Sequence, residues 1–99
     1  MDVEVYDPSI NVGFIHELLD PVLERLRVLM DRVREFNDGL EEGEASIKIV
    51  IDGGSLHGFN WEYLLEIASD CVRVYRVEYS DWELAEGVKT YIHIASVYL

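Results

Sequence analysis

Apolar residues recur along this chain in two rhythms, one of period two and one near 3.6, and together they predict a small protein of strands and helices. Val3-Glu4-Val5-Tyr6 alternates before Asp7-Pro8-Ser9 interrupts it, which predicts a short strand at a sheet edge. Val12, Ile15, Leu18 and Leu19 follow at helical spacing, with Asn11 as N-cap, so a short helix is expected from Ile10 to Leu19. The clearest element runs from Pro21 to Asn37. Asp20 is placed to cap it, Pro21 suits its first position, and Asp38-Gly39 supplies a stop. Val22, Leu26, Leu29, Val33 and Phe36 form its apolar stripe, widened by Leu23 and Met30.

Ser46 to Ile51 then reads as a strand with Ile47, Ile49 and Ile51 on one face, and Asp52-Gly53-Gly54 is expected to end it. Asn60 is a fitting cap for a helix to Ala68 that buries Trp61, Leu64, Leu65 and Ala68 or the neighbouring Ile67. A strand from Cys71 to Tyr79 follows, so strand, helix and strand predict a right-handed crossover with two parallel strands. Ser80-Asp81-Trp82-Glu83 has the spacing of a capping box, Gly87 ends the short helix, and Lys89 to Tyr98 returns as an antiparallel strand. The expected fold class is α/β with an α+β tendency: a small mixed sheet of about four strands against one long helix and two or three short ones, in a single domain spanning residues 1–99.

Composition narrows the setting. About half of the residues are hydrophobic, with six tyrosines and two tryptophans, which is core material rather than a disordered acidic tail. Cys71 is the only cysteine, so no intrachain disulfide forms and a reducing, intracellular compartment is expected. Met1-Asp2-Val3-Glu4 has no basic or apolar leader character, and no segment approaches the roughly 18 apolar residues of a membrane span. Neither export nor membrane insertion is expected.

Three segments carry candidate chemistry. His16 and Asp20, four apart on a helix, share a face in the manner of H-E-x-x-H metal sites, but the second histidine is absent and a third ligand must come from elsewhere. Asp52-Gly53-Gly54-Ser55-Leu56-His57-Gly58 holds a carboxylate, a hydroxyl and an imidazole. A plain turn accounts for it; the functional alternative is a small hydrolase using Asp52, Ser55 and His57. It lacks the phosphate-loop and dinucleotide fingerprints, and no Lys or Arg lies between Asp52 and Asp70, so no cofactor is expected. His93, between Ile92 and Ile94, is expected to point away from both, beside Tyr79 or Tyr91.

Charge says more than any motif. Twenty carboxylates against eight basic side chains give −12, which disfavours direct contact with nucleic acid or anionic lipid and leaves a basic partner protein, cations or plain solubility as its use. The excess is unevenly placed. Glu24, Asp31, Glu35 and Asp38 balance Arg25, Arg27, Arg32 and Arg34, so the long helix is neutral. Arg25 and Arg32 are therefore candidates for self-association through helix 21–37 as a homodimer. Glu41, Glu42 and Glu44 are candidates for steering a basic protein.

Over its whole length the chain resembles the small orphan proteins encoded by filamentous viruses of hyperthermophilic, acid-living archaea. The features are the short chain, the absence of Gln, the few basic groups, the Asp20 to Asn37 helix and the aromatic segment from Cys71 to Leu99. The resemblance implies a compact α/β viral protein, heat- and acid-stable, with no assigned activity; it transfers no functional residue. The expected function is a non-enzymatic viral or accessory factor acting through protein–protein contacts.

Overall fold

The computed structural model describes residues 1–40 and 43–99. Among them the order is β1 (Asp2–Val5), α1 (Val12–Leu19), α2 (Leu23–Asp38), β2 (Ile47–Leu56), β3 (Phe59–Ile67), β4 (Val72–Ser80), α3 (Asp81–Ala85) and β5 (Thr90–Tyr98). A 3-10 turn, Asp20–Val22, joins α1 to α2. The fold is mixed α+β, with one five-stranded sheet in the order β1-β5-β4-β3-β2 and every neighbouring pair antiparallel. Expectation falls short here by one strand and by the parallel crossover.

The difference lies in Phe59–Ile67, which is a strand and not the helix expected from Asn60 to Ala68. Its odd positions, Phe59, Trp61, Tyr63, Leu65 and Ile67, are all apolar, so the segment satisfies period two as well as the helical spacing of Trp61, Leu64, Leu65 and Ala68. Hydrogen-bonded neighbours on both sides, β2 and β4, decide between them. With β3 extended, β2 to β5 run as a meander, and no crossover is needed.

Two backbone features make this meander. His57 and Gly58, at φ of 50° and 77°, form a two-residue turn flanked by the paired Leu56 and Phe59. Positive φ at both positions is the hairpin turn whose twist matches that of the strands. Asp52-Gly53-Gly54 does not end β2 but interrupts its register: Ile51 pairs with Tyr63 and Gly54 with Trp61, so β2 carries one extra residue. Gly54 is required there, because a Cβ would lie 2.5 Å from the Trp61 ring.

Two rows of side chains cross the whole sheet on the face under the helices. One is Ile49, Leu65, Val74, Ala95 and Val5; the other is Ile47, Ile67, Val72, Val97 and Val3. Ile15, Leu18 and Leu19 of α1 and Leu26, Met30 and Val33 of α2 close over them as one core. Of the stripe expected on the long helix, Val22 and Leu29 are half-buried and Phe36 is 61% exposed. The buried line is therefore Leu26, Met30 and Val33.

Both short helices begin at the expected caps. Asn11 accepts from the Phe14 amide at 2.8 Å, and Ser80 and Glu83 form a reciprocal capping box. Asp20 departs from its expected role. Its backbone is helical and its amide donates to the His16 carbonyl, so it ends α1 rather than capping α2. The 3-10 turn through Pro21 then leads into α2 with no side-chain cap at Val22.

Candidate interaction surfaces

α3 begins where β4 ends and is fastened to the β2–β3 turn. The Asp81 amide donates to the Gly58 carbonyl at 2.9 Å, and the Asn60 side-chain amide donates to Asp81 Oδ1 at 2.8 Å. Ser80 Oγ accepts from the Glu83 amide, and Glu83 Oε1 from the Ser80 amide, both at 3.0 Å. The short helix is thus fixed in place although none of its residues is buried. Trp82 stands out from it 76% exposed, with Leu84, Val88, Leu56 and Phe59 exposed at the same end of the molecule. Asp81 and Glu86 are exposed here and Glu83 is half-buried. A large apolar side chain held on a fixed backbone among acids is the composition of a protein-binding anchor with a charged rim.

A second concavity of about 430 Å³ opens beside α1, lined by Asp7, Ser9, Phe14, Tyr63, Arg76 and Glu78 among others. Arg76 donates to Glu78 at 2.7 Å and to the Tyr63 hydroxyl at 2.8 Å, and its guanidinium lies 5.8 Å from the Trp61 ring centroid. The Glu78 hydrogen bond raises the Arg76 pKa. The Asp7 carboxyl is held below its ordinary value by the hydroxyl and amide of Ser9. These polar groups are largely matched to one another.

On the sheet face away from α1 and α2, Arg73 and Lys48 approach Glu66 at 2.8 and 4.0 Å, and Lys89 meets Glu62 at 3.0 Å above the Tyr79 ring. Both Arg73 and Lys89 have raised pKa values, chiefly through these carboxylate hydrogen bonds. His93 stacks on Tyr75 at 4.8 Å and meets Tyr6 edge-on at 4.9 Å. The register shift between Val74 and Tyr75 pairs His93 with Tyr75.

The residues singled out in the sequence are dispersed. Asp52 sits in the β2 bulge at φ 48°, His57 in the hairpin turn, and Ser55 pairs with Asn60 between them; all three are exposed. Bulge and turn account for their conformations. His16 and Asp20 share a helical face, but among the described residues no group of three or more His, Cys, Asp or Glu converges, so they gain no third ligand there. Glu44 accepts from Ser69 Oγ at 2.8 Å. Glu41 and Glu42 lie outside the described residues. Arg25 and Arg32 both line a concavity on the outer side of α2.

Sequence reading missed Trp82, Leu56 and Phe59. The available signal was a tryptophan on a helix of one turn, too short to bury it by its own amphipathicity. No helix among the described residues is long and apolar enough to cross a membrane. Comparison with family models, curated proteins and solved structures gives no match.

Proposed function

We propose that the protein is a non-enzymatic protein-interaction module that docks a basic, amphipathic segment of another protein on the end formed by α3 and the β2–β3 turn. The carrying observation is Trp82, 76% exposed on a helix whose backbone is fixed by a capping box. Apolar groups of the incoming segment cover Trp82 and Leu56. Its cations meet Asp81, Glu83 and Glu86, and the −12 charge of the whole chain speeds encounter. The viral, hot and acidic setting implied by the whole-chain resemblance belongs to the same proposal. An accessory factor working in a crowded host cell gains from a single anchor on a pre-ordered backbone, because little backbone entropy is lost on binding.

The test is calorimetric titration with a lysine- and leucine-rich amphipathic peptide at low and moderate salt. Binding is expected to weaken as salt rises, and Trp82→Ala to weaken it by about tenfold or more. The same substitution is expected to leave unfolding stability within about 0.5 kcal/mol, since the indole packs little of its surface. Equal peptide affinity for the wild-type and Trp82→Ala proteins sinks the reading.

A further inference from the structure

The outer side of α2 is built differently from the acidic end. Val28 is 51% and Phe36 61% exposed, and Leu29 between them is half-buried. A concavity of about 360 Å³ is lined by Glu24, Arg25, Val28, Leu29 and Arg32. A second, of about 310 Å³, continues from Arg32 past Phe36 to Ile47. Spacings of three and four along this stripe are the ridges and grooves by which helices pack on helices.

Charge selects the occupant. Residues 21–38 sum to zero while the chain carries −12, so two copies of this protein meet with least repulsion at α2. The order of charges selects the orientation. Glu24 lies four residues before Val28 and Arg32 four after, on the same side of the helix and about 6 Å to either side of it. Laid antiparallel about Val28, two such helices set each Glu24 opposite an Arg32. Laid parallel, they set Glu24 on Glu24 and Arg32 on Arg32. Among the described residues, the α2 ion pair is Asp31 with Arg34, and neither Glu24 nor Arg32 takes part in one.

We propose that α2 packs antiparallel on α2 of a second copy, about a twofold axis at Val28, with Glu24 of each copy facing Arg32 of the other. This surface is independent of the basic-partner site, which stays open in the dimer at α3. A single helix pair covers less than a standard protein interface, so a reversible dimer with a dissociation constant in the tens of micromolar is expected.

Sedimentation equilibrium over tens to hundreds of micromolar chain tests it. Glu24→Arg or Arg32→Glu alone is expected to weaken the dimer about tenfold, and the two together to restore it, because the reversed charges again face their opposites. Both positions are exposed, and circular dichroism checks that the variants stay folded. In a second measurement, Val28→Cys is expected to form a disulfide-linked dimer under mild oxidation while Glu35→Cys, on the same side but two turns and about 10 Å along the helix from the axis, does not; Cys71 is buried and does not compete. Trp82→Ala leaves the dimer unchanged, which separates this result from the peptide-docking one. A monomer throughout the range, or a dimer indifferent to the charge reversals, overturns the proposal.

Discussion

Two rows of residues, one position apart on the same five strands, are built from opposite chemistry. Ile49, Leu65, Val74, Ala95 and Val5 cross the sheet under α1 and α2, while Lys48, Glu66, Arg73, Ser96 and Glu4 cross it on the other side. The first row is entirely apolar. The second is polar throughout, with Glu66 between Arg73 and Lys48 and the buried Ser96 beyond them. Burial is what makes the first row stabilising, because each apolar side chain leaves water, whereas the second trades water for ion pairs that solvent screens. The fold therefore rests mainly on the face under the helices, where one continuous core forms, while on the other face Val77 is buried beside a largely polar row.

Truncating the centre of the apolar row is the severest way to break that contrast. Leu65 is fully buried between β2 and β4. Leu65→Ala removes buried methyls and leaves a cavity among neighbours held by the ladder, costing about 3 kcal/mol. Chemical denaturation followed by circular dichroism measures it, and a loss below about 1 kcal/mol contradicts a one-faced core. Gly54→Ala comes next. Its new methyl meets the Trp61 ring at 2.5 Å, so the indole or the bulge must move, at about 1 to 3 kcal/mol. The near-ultraviolet tryptophan signal changes with it.

The opposite face yields less. Glu66→Gln removes the carboxylate charge from Arg73 and Lys48 but leaves a polar side chain of the same shape. The Arg73 and Glu66 side chains are 34% and 20% exposed and those of the Lys48 pair 62% and 20%, so solvent discounts both pairs, and the loss is at most about 1 kcal/mol. The same denaturation curves check this; a larger loss than that of Leu65→Ala reverses the assignment of the two faces.

What the sequence made legible follows the same division. Strict alternation identified Ile47, Ile49 and Ile51, and local capping identified Asn11 and the Ser80–Glu83 box, since these depend on residues close in the chain. Phe59–Ile67 was ambiguous because it fits both periods, and the choice belongs to pairing with β2 and β4. His57-Gly58 was obscure as a hairpin because histidine seldom takes positive φ in such turns. Arg25 and Arg32 were visible as two of the arginines of a neutral helix. Trp82 was invisible as an exposed side chain, since only the position of α3 beyond the sheet leaves it uncovered.

Acid offers the mildest perturbation of the comparison, because it discharges carboxylates and leaves the two apolar rows untouched. Among the described residues every ionisable Asp, Glu, His, Lys and Arg is at least partly exposed, and the buried polar residue is Ser96. Full protonation takes the chain from −12 to about +12, counting eight Lys and Arg, three His and one amino terminus. Self-repulsion at low pH is then no greater than the fold already bears at neutrality. Asp7 shows where acid does act. Ser9 holds its folded pKa below the ordinary 3.8, so its contribution is complete above that value and is lost as pH falls through the folded one. Lys89 has the opposite sign: its folded pKa is raised by Glu62, so its contribution is complete below the ordinary 10.5 and is lost as pH rises through the folded value. Far-ultraviolet circular dichroism at about pH 2 is expected to retain the neutral-pH spectrum and a cooperative melt. Cooperative unfolding already above about pH 3 places a larger share of the stability in the charged face than its screened ion pairs supply.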